Sequence, residues 1–144
     1  MQRILIHTDG GARGNPGPAG AGAVLKRADG EVIAEVSEYL GERTNNWAEY
    51  QALILALTAL EKQLPSSELK DAAVEVYMDS ELIVKQLSGE YRVKEPALKE
   101  QHAIVRSLLE RLPRVVFRHV RRAENEKADQ LANDAMDRGY TKGV

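Results

Sequence analysis

The sequence predicts a mixed α/β domain: a five-stranded sheet, three strands antiparallel and two added in parallel, with helices packed against it. Two observations carry that reading. The first third of the chain holds three strand-like segments separated only by turns, which suits an antiparallel meander. The remaining two strand-like segments alternate with helical patterns, which suits parallel additions to the same sheet. At 144 residues the chain fits one domain and can bury a core without metal or disulfide staples.

Residues 3–8 form a short apolar run expected to end at the turn pair Asp9-Gly10. A loop rich in Gly and Pro follows, from Gly10 to Pro18. Residues 21–27 and 31–40 are expected to make a hairpin around Ala28-Asp29-Gly30, because Asp-Gly is a strong turn signal. Helix signals take over at Thr44-Asn45-Asn46. Tyr50, Leu53, Ile54, Leu57, Leu60 and Leu64 then recur at helical spacing until Pro65 ends the run. Residues 73–78 alternate as a strand with Val74, Val76 and Met78 on one face, and a short helix to about Leu87 starts after Asp79-Ser80. Residues 96–112 form a second long helix, its stripe made of Leu98, His102, Val105, Leu108, Leu109 and Leu112, with Pro113 closing it. A fifth strand spans residues 114–120. The last helix spans residues 125–136 and is buried through Ala128, Leu131, Ala132 and Ala135. The expected order is β-β-β-α-β-α-α-β-α, with a folded domain over residues 1–138 and a disordered tail over 139–144.

Composition excludes several functions. Hydrophobic residues make up 43% and charged residues 29%, both ordinary for a globular protein. The absence of cysteine removes thiol nucleophiles, zinc-thiolate sites and disulfide scaffolds. The apolar run at the N-terminus is too short for a signal peptide, and no stretch approaches the length of a membrane span, so a cytoplasmic protein with no membrane partner is expected. No G-x-G-x-x-G follows a strand and no G-K-[ST] occurs, which argues against a nucleotide-binding phosphotransferase. The net charge of −2 does not announce a nucleic-acid binder. Arg111, Arg114, Arg118, Arg121, Arg122 and Lys127 nevertheless form a locally basic strip that could track phosphates or simply be solvated.

Four carboxylates stand out by position. Each has an ordinary structural explanation. Asp9 could open a turn, Glu49 could complete a capping box with Asn46, Asp79 could precede a helix capped by Ser80, and Asp129 could complement a helix dipole. Together they are harder to dismiss. If the first and fourth strands are parallel neighbours, Asp9 and Asp79 emerge side by side where ligands bind an α/β sheet. Glu49 and Asp129, near the starts of two helices, can point to the same rim. Clustered carboxylates repel by several kcal/mol unless cations neutralise them, and oxygen-only ligands favour hard ions such as magnesium.

Thr8-Asp9-Gly10 followed by Gly14-Asn15-Pro16-Gly17-Pro18, then Thr44-Asn45-Asn46-Trp47-Ala48-Glu49, then Tyr77-Met78-Asp79-Ser80, then Asn125-Glu126-Lys127-Ala128-Asp129-Gln130-Leu131-Ala132, resemble in order the motifs of type 1 ribonuclease H. The resemblance implies an RNase H-like fold, with residues 1–138 as the catalytic domain. It implies an endoribonuclease that hydrolyses the RNA strand of RNA/DNA hybrids by a two-metal-ion mechanism, leaving 5′-phosphate and 3′-hydroxyl ends. Asp9, Glu49, Asp79 and Asp129 would be the catalytic, metal-binding carboxylates. By family analogy Asp9 would bridge two Mg2+ ions present with substrate, Asp129 would complete the site that activates water, and Glu49 and Asp79 the site facing the leaving oxygen. Mn2+ would substitute. Gly10, Gly11, Asn15, Thr44, Asn45, Asn46 and Ser80 match positions that touch the hybrid. Glycines there permit close backbone approach, and Asn supplies both donors and acceptors to minor-groove edges and 2′-hydroxyls. A monomer is expected.

The sequence departs from many members in two places. The stretch from Phe117 to Asn125 shortens a loop that often bears a histidine, so His119 reads as a strand residue, and Arg121 or Arg122 could contact phosphate instead. The stretch from Leu87 to Glu95 is too short for the basic, tryptophan-bearing insertion found in several relatives, and no separate hybrid-binding domain is expected. Trp47 is expected to pack under its helix start, and His7 and His102 to be structural. A binding module that holds nucleic acid without cutting it is the competing reading; four carboxylates facing phosphate argue against it.

Overall fold

The computed structural model describes residues 2–142. Its strands are β1 (Gln2–Ala12), β2 (Gly17–Arg27) and β3 (Val32–Arg43), followed by α1 (Asn45–Gln63), α2 (Ser66–Lys70), β4 (Ala72–Met78), α3 (Glu81–Leu87), α4 (Pro96–Leu109), β5 (Arg114–His119) and α5 (Glu126–Lys142). A single 3-10 turn, Arg122–Glu124, joins β5 to α5. The five strands form one sheet in the order β3-β2-β1-β4-β5. β1, β2 and β3 pair antiparallel, and β1–β4 and β4–β5 pair parallel, as the sequence pattern anticipates.

The differences from expectation are informative. β1 does not stop at Asp9-Gly10. Its pairing with β2 continues through Gly10↔Ala21 and Gly11↔Gly20 to Ala12↔Ala19, and the reversal comes later, closed by the Arg13 amide donating to the Pro18 carbonyl at 2.9 Å. A ladder of backbone hydrogen bonds outweighs a local turn preference. β2 and β3 lengthen correspondingly. α2 is a one-turn element for which the sequence reading had no place. α4 ends at Leu109 rather than at Pro113, although Leu112 is still buried. α5 runs through Lys142, past the expected boundary at Arg138; the last two residues of the expected tail, 143–144, lie outside the described residues.

One face of the sheet carries α1, with α4 stacked outside it; α5 covers β2, β3 and part of β1 on the other face. α1 is buried round most of its circumference because it lies between sheet and α4, which explains its nearly uniform apolar sequence. Ile4, Ile6, Leu25, Val74, Val76 and Met78 from the sheet meet Leu53, Leu57 and Leu60 of α1 in the main core. The buried Tyr50 hydroxyl donates to Gln86 Oε1 at 2.8 Å, satisfying two polar groups and tying α1 to α3.

Glycines set how closely α5 sits on β2. A Cβ at Gly22 would lie 2.2 Å from the Ala128 carbonyl oxygen and 2.6 Å from the Ala132 amide nitrogen. The clash is with helix backbone, which cannot rotate away. Gly22→Ala is therefore expected to lower stability by about 1–3 kcal/mol, as overpacking does. Urea denaturation should show a lower midpoint at an unchanged m-value; a loss below ~0.5 kcal/mol would contradict this close seating.

Candidate active site

Register places the first two carboxylates. The parallel ladder of β1 with β4 ends at Thr8↔Met78, so Asp9 and Asp79 are the next residue on each strand. Neighbouring strands run about 4.8 Å apart, which brings the two side chains together at the carboxyl end of the parallel pair. The Met78 carbonyl accepts from the Val120 amide at 2.9 Å, so the chain leaving β5 passes over the same end.

Glu49 comes from the first turns of α1. The N-cap of that helix is Thr44, whose Oγ1 accepts from the Trp47 amide at 3.2 Å, so the capping box with Asn46 is not formed. Glu49 instead is 8% exposed and points at the sheet. α1 can come this near because residue 10 is glycine: a Cβ there would stand 2.2 Å from the Ala48 carbonyl oxygen. One ligand oxygen from each of Asp9, Glu49 and Asp79 lies within 4.8 Å of the other two. Asp129, from the first turn of α5, lines the same cavity of about 690 Å3 and hydrogen-bonds Asp9, but does not join that tight group of three.

The electrostatics follow from crowding and burial. Two like charges ~5 Å apart repel by about 3 kcal/mol at an effective dielectric constant near 20. Burial, then Asp79, then a hydrogen bond and charge from Asp129 raise the Asp9 pKa to about 8, against the opposing pull of Arg122. Glu49 is pushed well above the ordinary carboxylate range by burial, then by Asp9 and Asp79, although the Gly10 amide donates to it. Asp79 is raised by burial, while Arg122 and a hydrogen bond from Asn125 hold it back. Glu49 Oε2 is buried without a hydrogen-bond partner. An unpaired buried acceptor among repelling carboxylates, with oxygen as the sole donor type, fits a hard divalent cation.

The other residues singled out from sequence are distributed around this centre. Gly10, Gly11 and Asn45 line the cavity. Asn45 Oδ1 accepts from the Ala12 amide at 2.7 Å, and Asn15 Oδ1 accepts from the Asn45 amide at 3.0 Å, so both asparagines have their acceptors engaged. Asn46 opens instead onto an adjoining groove of about 590 Å3 bordered by Leu82, Tyr91, Arg92 and Lys94. Ser80 Oγ accepts from the Ile83 amide at 3.3 Å and caps α3. Asn15, Thr44, Asn46 and Ser80 thus lie outside the cavity itself.

Two readings change. His119 is the last residue of β5, opposite Met78, and so a strand residue as expected, yet it lines the cavity. The basic strip is not continuous: Arg118 meets Glu75, Arg111 meets Glu61, and Lys127 meets Glu35 at 4.0 Å, while Arg121 and Arg122 alone among its members border the cavity. Arg13 and Asn133, which border the cavity too, were not singled out; Arg13 bonds Asp137 at 2.6 Å, and nothing local in the sequence joins residues so far apart. Trp47 packs against the core with the Arg43 guanidinium 4.0 Å from its ring, and His7 stacks on Tyr77 with ring centroids 4.8 Å apart.

A sheet of this order with carboxylates at the end of its central parallel pair defines a class. The family model described as reverse transcriptase-like matches residues 7–135. Within that class the chain superposes on the structure of LC11-RNase H1, isolated from compost by a metagenomic approach, with a TM-score of 0.90 and 52% identity over 97% of this chain and 99% of that one. It is 32% identical to ribonuclease H of Erythrobacter litoralis over 95% of this chain and 98% of that protein. It is 44% identical to the bifunctional protein Rv2228c of Mycobacterium tuberculosis over 94% of this chain, but spans 36% of that relative's length. The chain belongs to the type 1 ribonuclease H family.

The raised Asp9 pKa has a thermodynamic consequence. Between about pH 4 and pH 8 the unfolded chain has lost this proton while the folded one keeps it, so the contribution to stability falls as pH rises through that window. Without divalent ions, Asp9→Asn should match the parent near pH 4 and melt progressively higher above it, reaching about 2–3 kcal/mol or roughly 5–10 °C near pH 8. Thermal melts in chelator across this range test it. A difference in Tm that does not grow with pH would show that the carboxylates are not crowded as described.

Proposed function

We propose that this chain is an endoribonuclease that hydrolyses the RNA strand of RNA/DNA hybrids, leaving 5′-phosphate and 3′-hydroxyl ends. The observation that carries the proposal is the convergence of Asp9, Glu49 and Asp79 at one rim, with Asp129 beside Asp9 and an unpaired Glu49 oxygen among them. A structure of LC11-RNase H1, 51% identical over 95% of this chain, is of its complex with an RNA/DNA hybrid, which supports the same substrate here. Residues 1–138 would form the catalytic domain.

Asp9, Glu49, Asp79 and Asp129 would hold two magnesium ions when substrate is bound, with manganese able to substitute. Such ions supply the positive charge that activates an attacking water and stabilises the leaving 3′ oxygen, so no covalent enzyme intermediate is required. The chain's own side chains bind and orient. With their oxygens engaged by backbone amides, Asn15 and Asn45 are left with Nδ2 donors to offer to sugar and base-edge acceptors. The hydroxyls of Thr44 and Ser80 accept from helix amides and keep their own protons for phosphate oxygens. The nearest heavy atoms to where a Cβ of residue 11 would stand, Asn45 Oδ1 and the Met136 methyl, are 3.9 Å away, which lets substrate approach the strand backbone beside Gly10. Asn46 would contact the hybrid from the adjoining groove. Arg122, with Nη2 3.9 Å from Asp129 Oδ1, and Arg121 beside it, would meet phosphate in place of the absent loop histidine. No helix among the described residues is long and apolar enough to cross a membrane. A cytoplasmic monomer is the proposed setting.

Purified protein should cut the RNA of an end-labelled hybrid with Mg2+ or Mn2+ and leave duplex DNA intact. Asp9→Asn should retain the fold by circular dichroism and lose cleavage, and excess chelator should silence the parent. Cleavage persisting in either case would sink the metal-dependent reading. Arg122→Ala is expected to raise KM for the hybrid several-fold and to reduce its salt dependence, since each lost phosphate contact lowers the slope of log affinity against log salt by about 1.

A further inference from the structure

We propose that Asn125 is a positioning residue that sets the mutual placement of Asp9, Asp79 and Asp129. This rests on the active-site reading above and assigns a role in it to a side chain that need not touch substrate. Asn125 is 1% exposed, and it sits at the junction of the 3-10 turn and α5. Its Nδ2 donates to the Thr8 carbonyl at 2.8 Å, across 117 residues of sequence. Thr8 is the last residue of β1 paired with β4, and the next residue is Asp9. The same side chain neighbours the Asp79 carboxylate. Its own carbonyl accepts from the Asp129 amide at 3.0 Å, and its amide donates to the Arg122 carbonyl at 3.0 Å. One residue therefore joins the end of β1, the end of β4 and the first turn of α5, and with them three of the four carboxylates and the arginine facing them.

The ordinary explanation for asparagine before a helix is capping, in which the side-chain oxygen accepts from amides of the first turn. That explanation fails here. Asn125 Oδ1 is buried and has no hydrogen-bond partner. The residue keeps an unpaired acceptor in order to aim its donor at Thr8, beside Asp79, which is costly unless the donor matters. The amide cannot be turned over, because Oδ1 would then face the Thr8 carbonyl oxygen. Groups standing behind metal-holding side chains in this way fix their orientation, and removing them typically weakens metal binding or activity about 10- to 100-fold.

Two variants separate positioning from mere stability. Asn125→Leu keeps the volume and removes both the donor and the unpaired acceptor; Asn125→Ala removes the side chain. Val105→Ala, in the α4 core away from the cavity, serves as the destabilised reference. Calorimetric titration with Mn2+ and steady-state hybrid cleavage are measured on all four proteins. Both Asn125 variants are expected to bind Mn2+ about tenfold or more weakly and to lose kcat about 10- to 100-fold. KM for the hybrid should stay within about threefold, because ground-state contacts are unchanged. High Mn2+ should restore part of the lost kcat, and Val105→Ala should keep the parent's Mn2+ affinity. Parent-like Mn2+ affinity and kcat per folded molecule in Asn125→Leu would overturn the positioning role and leave the cleavage reading standing. A parent protein that neither binds Mn2+ nor cuts hybrid would overturn both.

Discussion

Holding like charges together is the constraint on which this molecule turns. Three carboxylates approach within 4.8 Å of one another and a fourth hydrogen-bonds the first, at positions where burial already disfavours ionisation. Left to local preferences, flexible acidic side chains would swing apart into water. Here they cannot, because each root is fixed by an element with its own reasons for being where it is. Asp9 and Asp79 are locked by adjacent strands, Glu49 by a helix buried on nearly every side, and Asp129 by a helix seated directly on the sheet. The folded scaffold holds the repulsion, and binding of cations would relieve it.

That scaffold depends on close backbone contact on both faces of the sheet. On one face the Ala48 carbonyl of α1 passes over Gly10; on the other, α5 passes over Gly20 and Gly22. Any side chain at these places would lift a helix and carry its carboxylate away from the rim. The glycines next to Asp9 therefore have different tasks. Gly10 admits a helix, while Gly11 leaves the backbone open towards the cavity.

The cations are arranged with similar economy. Arg111, Arg118 and Lys127 of the basic stretch after α4 are each occupied by a glutamate on a neighbouring element, so the net charge of −2 is not hiding a broad cationic surface. Arg121 and Arg122, carried by and beside the 3-10 turn before α5, stand at the cavity itself. Positive charge is thus concentrated where phosphate would arrive, opposite the carboxylates. An acidic cavity with a basic edge suits a polyanion drawn in by divalent ions better than it suits one held by a cationic groove.

Much of this was legible without coordinates. Alternation in residues 73–78, helical spacing from Tyr50 onward and the succession of three strands gave the element types and the mixed sheet, because hydrophobic period reflects which face is buried. Four short motifs marked the carboxylates. What sequence could not decide were quantities set by partners distant in the chain. β1 runs past its turn signal because β2 continues to pair with it. Glu49 is a buried acid rather than a cap because Thr44 takes the capping role and Gly10 admits the helix. Asn125 reads as the first residue of the last helix, with no sign that its donor is claimed by the Thr8 carbonyl 117 residues away. Local preference is written into each segment; the burial, register and hydrogen-bond partner of a given side chain belong to the folded whole, since they arise only where separate segments meet.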